Sequence, residues 1–263
     1  MIARESNIRL ELRGVTKTFT SRQGNVRALD RIDLTVADGE FVSIVGPSGC
    51  GKSTLLNIVA GLEKPTDGEI LLDGKPELAR LGRTAYMHQK DLLLPWRTVL
   101  DNAALGLEVA GVNKREARER ALELFDRFGL SGFEESYPSM LSGGMRQRAA
   151  FLRTILTEQR LMLLDEPFGA LDALTRTDMQ EWLLSLWEEL GRTIVFITHD
   201  VEEAVLLSDR VLVMSPRPGR FLSDQTIDLP RPRRYEVVTE DRFTALKARL
   251  LATLRGHEQV TVS

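Results

Sequence analysis

The 263-residue chain carries one cysteine, Cys50. No disulfide can therefore close within it, and a reducing compartment suits it. No stretch approaches the roughly 20 consecutive apolar residues that a membrane-crossing helix needs. The opening residues MIARESNIRLEL lack the basic-then-apolar order of a secretion signal. A formal net charge of −3 supplies no basic field for nucleic acid, so nucleic acid is not an expected partner. Internal repeats and low-complexity tracts are also lacking. If the protein works at a membrane, it must dock on another chain.

The residues that are present alternate between two periods. Residues 8–19 and 26–36 read as strands, with Leu29, Ile32, Leu34 and Val36 as apolar positions of the second. The run FVSIV (41–45) leads into a glycine-rich loop, and TLLNIVAGL (54–62) follows with helical spacing. Turn signals at 63–75 flank a short strand, EILLD. Residues 97–130 are rich in Leu, Ala, Glu and Arg, and VNKREARERALELFDRFGL (112–130) reads as an amphipathic helix. Residues 144–159 read as a further helix. The β pattern returns with LMLLD (161–165), a helix near 174–190, the strand TIVFIT (193–198), a helix at 201–207 and the strand RVLVMS (210–215). Such alternation implies an α/β fold, with a parallel sheet covered on both faces and a helix-rich subdomain inserted at about 90–158. PRPRR (230–234) reads as an extended linker. It leads to a terminal helix with Phe243, Leu246, Leu250 and Leu254 on one face.

Three local patterns carry chemistry. Gly46, Pro47, Ser48, Gly49, Cys50, Gly51, Lys52, Ser53 and Thr54 fit G-x-x-x-x-G-K-[ST], placed between a strand and a helix as a phosphate loop requires. Glycines let the backbone turn tightly so that its N–H groups converge on phosphate oxygens, and the helix dipole points to the same place. Lys52 is expected to neutralise β/γ charge, and the Ser53 hydroxyl to ligate Mg²⁺. Cys50 inside this loop reads as an inert small residue, with a helix N-terminus that could lower its pKa as the alternative; alkylation of its thiol is expected to block ATP binding and ATP to protect it. LMLL then ends in Asp165-Glu166, where one carboxylate can hold the Mg²⁺ shell and the next can orient or deprotonate attacking water. His199 follows a strand expected in the same sheet as Asp165. Parallel sheets bind ligands at the carboxyl ends of their strands, so a γ-phosphate contact is expected of it.

Leu141-Ser-Gly-Gly-Met-Arg-Gln-Arg148 resembles the signature sequence of ABC ATPases. The resemblance spans about residues 8–220. It implies a P-loop NTPase (RecA-like) core with a parallel sheet and an antiparallel β subdomain, plus an inserted α-helical subdomain. The expected arrangement is one domain at 8–240, with core 8–89 and 159–225, helical subdomain 90–158, and a helical tail at 241–263. It further implies a homodimer in which Ser142, Gly143 and Gly144 of one copy close on the ATP held by the other. Phe19 falls where the family stacks an aromatic on adenine. Gln89 falls where the family has a glutamine that contacts Mg²⁺ and reports on the transmembrane partner. Gly169-Ala-Leu-Asp172 matches the loop that touches the opposite subunit, Glu166 the catalytic glutamate and His199 the switch histidine.

YMHQKDLLLPW (86–96), TVLDNAALGLEVAG and SPRPGRF (215–221) resemble the importers of nitrate, sulfonate, taurine and thiamine-pyrimidine precursors. Such a protein would sit peripherally on the cytoplasmic face of the membrane, on an integral-membrane permease fed by a substrate-binding protein. In LLLPW some residues would pack the subdomain, while Pro95 and Trp96 border the groove for the permease. A soluble, non-transport ABC ATPase is the alternative. Its translation type would need two cassettes in tandem, and its DNA-repair type a long coiled-coil insertion.

Overall fold

In strand β1 (Ile8–Ser21) the side chains of Leu10, Leu12 and Val15 are buried, and in β2 (Gly24–Ala37) those of Leu29, Ile32, Leu34 and Val36. The two strands pair antiparallel, with Leu12 opposite Leu34 and Val15 opposite Ile32, so both apolar sets share one face. The structure is a computed structural model that describes residues 7–22 and 24–258. The last residues of the expected 241–263 tail lie outside that range.

Two compact units are present. The first comprises the described residues up to Thr84, Leu161–Leu163, and those from Gln180 onward. Beyond β2 it continues with β3 (Phe41–Val45), α1 (Lys52–Ala60), β4 (Asp67–Leu72) and the two-residue β5 (Lys75–Pro76). The antiparallel sheet has the order β2-β1-β4-β5. The second unit spans Ala85–Arg160 and Leu164–Met179. It holds β6 (Ala85–Met87), α2 (Val99–Val109), α3 (Lys114–Leu122) and α4 (Gly143–Ile155). β7 (Leu161–Asp165) and α5 (Ala173–Leu190) each run from one unit into the other. The first unit then resumes with β8 (Thr193–Thr198), α6 (Val201–Leu207), β9 (Arg210–Met214), β10 (Phe221–Thr226) and α7 (Asp241–Glu258).

In the first unit β3 lies between β8 and β9 and is parallel to both. All five residues of β3 and all six of β8 are buried, as expected of strands covered on both faces. Phe41 packs against Phe196 and Trp187 at centroid distances of 5.9 and 6.1 Å. β10 adds an antiparallel edge strand to β9, which the alternating pattern had not indicated.

One expectation needs correction, and two gain detail. The helix expected over 112–130 stops at Leu122. The Leu124 and Phe125 amides bond three residues back, and Gly129 takes φ +58°, so the chain turns to bury Phe125 and Phe128. PRPRR connects β10 to the final helix as expected, and it is anchored: Arg231 donates to Asp209 and the Leu207 carbonyl, and Arg233 is buried. In α7, Phe243, Leu246 and Leu250 are buried, whereas Leu254 is only half-buried.

Candidate functional site

The register of β3 against β8 places two of the expected site elements. Val45 pairs with Thr198 at the carboxyl ends of the parallel strands, so Gly46 and His199 leave the same sheet edge on adjacent strands.

From Gly46 the chain has little room for side chains. A Cβ on Gly46 would lie 2.9 Å from the Met214 carbonyl oxygen. Gly51 has φ +115°, and a Cβ there would lie 2.7 Å from Leu29 Cδ2 and 3.0 Å from the Ala28 oxygen. The loop is thus a cradle that only glycine permits at these points. Gly51 is also the N-cap of α1 and brings no side chain to the helix's first N–H groups, which suit an anion. Lys52 is 6% exposed and donates from Nζ to the carbonyls of Gly46 (2.8 Å) and Pro47 (3.1 Å), which holds its charge inside the loop. Ser48, Gly49 and Ser53 are exposed, and Pro47 and Thr54 are half-buried.

Cys50 matches the inert of its two readings, not the activated thiol. Its side chain is 1% exposed, and burial raises its pKa above the usual 9.0 against the opposing pull of Lys52. Its sulfur is turned inward beneath the loop, where it accepts from Lys52 Nζ at 3.8 Å.

His199 is exposed at the end of the buried strand β8. The turn beneath it is fixed by side chains that the sequence reading missed. Thr198 Oγ1 donates to the buried Glu203 Oε2 (2.6 Å) and accepts from the Asp200 amide (3.0 Å), while Gln180 Nε2 donates to Glu203 Oε1 (3.0 Å). Asp200 caps α6 by accepting from the Glu202 and Glu203 amides. Asp200-x-x-Glu203 has the spacing of a capping box, a signal that could have drawn attention to Glu203. Phe19, on β1, is 40% exposed with Lys17 Nζ 4.7 Å from its ring centroid.

In the second unit Asp165 is buried at the end of β7. Glu166 follows with φ +48°, a left-handed conformation that costs a non-glycine residue on the order of 1–2 kcal/mol. Gln89 Nε2 donates to Glu166 Oε2 at 3.2 Å. Tyr86 stacks on His88 at 4.0 Å. Burial, and then the Asp165 carboxylate, raise the tyrosine's pKa, while burial and Arg153 lower that of His88.

Ser142 is the N-cap of α4, and its Oγ accepts from the Met145 amide at 3.2 Å. A hydroxyl used as acceptor still has its proton to donate to an anion. Ser142 and Gly143 are exposed, and Gly144 is half-buried against Leu171. The helix that bears them is bound to the segment after Gln89. Arg146 Nε donates to Asp91 (3.2 Å), and Arg153 donates to the carbonyls of Asp91 (2.7 Å) and Leu92 (2.9 Å). Asp172 accepts from the Thr175 amide, and that bond holds its pKa below the usual carboxylate range.

The family model described as ABC transporter matches residues 29–169. An uncharacterized ABC transporter ATP-binding protein of Methanocaldococcus jannaschii is 48% identical over 86% of this chain and 85% of its own length. A taurine import ATP-binding protein of Rhizobium johnstonii is 45% identical, covering 92% and 95%. A formylaminopyrimidine import ATP-binding protein of Halalkalibacterium halodurans is 44% identical, covering 87% and 88%. Among solved structures, an ATP-binding cassette captured as a dimer in a post-hydrolysis state with ADP and Pi superposes with a TM-score of 0.77. It shares 33% identity and covers 84% of this chain and 100% of its own. The chain therefore belongs to the ABC transporter family, as an ATP-binding and ATP-hydrolysing subunit.

Proposed function

We propose that the protein is the motor of an importer for a small solute of the taurine, sulfonate, nitrate or pyrimidine-precursor kind, working from the cytoplasmic face of a membrane permease supplied by a substrate-binding protein. The names of the taurine and formylaminopyrimidine relatives support the importer reading. The exposed Leu92, Pro95 and Trp96, the last 71% exposed, support a docked permease, while Leu93 beside them is buried.

The observation that carries the ATPase reading is the shared sheet edge of the phosphate loop and His199. Residues 46–54 bind the triphosphate through backbone N–H groups, and Lys52 offsets its charge. Phe19 offers its ring to the base, and His199 steadies the γ-phosphate. Glu166, oriented by Gln89, positions the attacking water and takes its proton. Ser142, Gly143 and Gly144 of a second copy present a hydroxyl donor and a helix N-terminus to the same γ-phosphate. The Ser53 hydroxyl, Gln89 amide and Asp165 carboxylate are the hard oxygen donors that suit Mg²⁺. When bound, that ion would neutralise phosphate charge.

Glu166→Gln is expected to bind ATP and accumulate as a stable dimer on size-exclusion chromatography, with hydrolysis reduced at least about 100-fold. Near-normal steady-state hydrolysis by that variant would remove Glu166 from its role. Co-purification with a membrane permease, rather than with ribosomes or DNA, separates the importer from the soluble alternative.

A further inference from the structure

The segment Ser215–Arg220 is held as a tight loop against the phosphate loop of the same unit. The Ser215 amide donates to the Arg220 carbonyl (2.9 Å), and Ser215 Oγ donates to the Pro218 carbonyl (3.1 Å). Gly219 is fixed to β2 on both sides: its amide donates to the Ala28 carbonyl, and the Asp30 amide donates to its own, each at 2.9 Å. From this anchored loop Arg217 reaches out, and its Nε and Nη2 both donate to the Gly49 carbonyl, at 3.1 and 3.0 Å. One residue further along the phosphate loop, the Cys50 carbonyl lies so close to Gly219 that a Cβ there would sit 2.3 Å from its oxygen.

In a trans peptide the carbonyl and the following N–H point in opposite directions. A loop that gathers N–H groups around an anion must therefore turn its carbonyls outward. Gly49, at φ +74°, has no side chain to enforce that orientation. A guanidinium on the Gly49 oxygen turns the Cys50 N–H away from the clamp, where it now meets the Pro47 carbonyl at a long 3.4 Å, and Gly219 against the Cys50 oxygen turns the Gly51 N–H away likewise. We infer that Arg217, carried on the loop anchored at Gly219, is a positioning residue that preorganises the phosphate loop and so sets its affinity for nucleotide. This rests on residues 46–54 being the nucleotide's phosphate site. Arg217 acts through two peptide groups and not on the nucleotide itself. Arg217 lies in the SPRPGRF motif, but 168 positions separate it from Gly49, so neither segment alone announces the contact.

The chain's one cysteine makes the test specific, because Cys50 sits in the clamped stretch. Arg217→Ala and Arg217→Lys are compared with the native protein for ATP and ADP affinity, kcat at saturating ATP, melting temperature, and the rate of Cys50 alkylation by iodoacetamide without nucleotide. Loss of a charge-assisted hydrogen-bond pair at an exposed edge should weaken ATP and ADP alike, by about fivefold. Alkylation should accelerate in parallel, with kcat and the melting temperature unchanged. Arg217→Lys, which restores one point donor, should fall between, and it carries the test if the alanine variant does not fold. Affinity lost with Cys50 as slow as in the native protein would mean that Arg217 touches the nucleotide, and the inference fails. It also fails if alkylation accelerates with affinity intact, or if neither changes. Native protein that binds no nucleotide would instead remove the phosphate-loop reading, and the alkylation rates would still report whether the clamp restrains the loop.

Discussion

The side chains of Gln89 and Glu166, 77 positions apart in sequence, meet in a 3.2 Å hydrogen bond from Nε2 to Oε2. Glu166 is held in a left-handed backbone conformation, so its carboxylate direction is set by the turn and by the partner it accepts from. Gln89 in turn begins the segment that Arg146 and Arg153 of α4 grip at Asp91 and Leu92. A displacement of the segment that exposes Leu92, Pro95 and Trp96 thus has a bonded route both to the placement of Glu166 and to the helix that opens at Gly143.

Removing the amide tests the first link of that route. Gln89→Ala should lower kcat about tenfold, since orientation of the base is lost, while Ser53 and Asp165 remain to hold the ion and keep the KM for ATP within about twofold. Gln89→Glu replaces the donor with a second carboxylate and should lower kcat further, because like charges push the Glu166 side chain away. Steady-state ATPase assays at saturating ATP read both effects, and a native kcat in Gln89→Glu would deny the contact a place in the working enzyme.

Gly51 and Gly74 form a controlled pair. Both have positive φ, but a Cβ on Gly51 would strike Leu29 and the Ala28 carbonyl, whereas Gly74 has open space around it. Gly51→Ala should cost about 2–4 kcal/mol by strain plus overlap and abolish nucleotide binding. Gly74→Ala should cost about 1 kcal/mol by strain alone and leave binding intact. Urea denaturation and nucleotide titration on the two variants measure the difference.

Cys50 should behave as a buried thiol. Its pKa is raised because burial outweighs the nearby Lys52, so alkylation of the native protein should stay slow at pH 8 and accelerate only above the ordinary thiol value of 9.0. The folded state holds the proton more tightly than the unfolded chain does. The associated stability is therefore present below the unfolded thiol's pKa and is lost as pH rises through the folded one. A pH–rate profile for iodoacetamide, run with and without denaturant, reads the shift. A midpoint below that of the unfolded chain would reverse the assignment.

Where a residue's neighbours are also its neighbours in sequence, the sequence reading succeeded. FVSIV, TIVFIT and the helix at 201–207 appear at their expected bounds. Continuous burial, or a Ser/Asp cap before an apolar turn, marks such elements locally. The loop before α1, the end of β7 at Asp165 and the cap of α4 at Ser142 stand where the sequence placed them for the same reason, since each is a short contiguous run. What escaped depends on distant partners. Nothing near Cys50 in sequence says that its sulfur turns into the core, and nothing near Thr198 says that Glu203 and Gln180 support the turn before His199. The helix ending at Leu122 was overrun because the pattern through Phe128 stays amphipathic. Only the burial of Phe125 and Phe128 in a turn separates the two outcomes.

Arg233 illustrates the same dependence at larger scale. The PRPRR run is hydrophilic and proline-rich, which reads as linker, yet Arg233 is buried and five carbonyls accept from its guanidinium. Nη1 donates to Val205 (3.1 Å), Leu206 (3.3 Å) and Ser208 (2.7 Å), and Nη2 to Ile227 (3.1 Å) and Leu229 (3.2 Å). Three of these acceptors lie at the carboxyl end of α6, where a cation also meets the negative end of the helix. Burial, and then neighbouring Arg231, lower its pKa to about 10, which leaves the group charged at neutral pH. Replacement by methionine keeps the bulk and strands the carbonyls, so Arg233→Met should destabilise by about 3 kcal/mol. Arg233→Lys retains the charge but has three donors for five acceptors, and should lose roughly half as much. Amide exchange should quicken in α6 and α7 while β1 and β2 stay protected, because the anchor joins α6 to the strand-to-helix passage that precedes α7. A loss below about 0.5 kcal/mol in Arg233→Met, the scale of a surface change, would show that the passage is held by its apolar contacts and that the guanidinium only fills a gap.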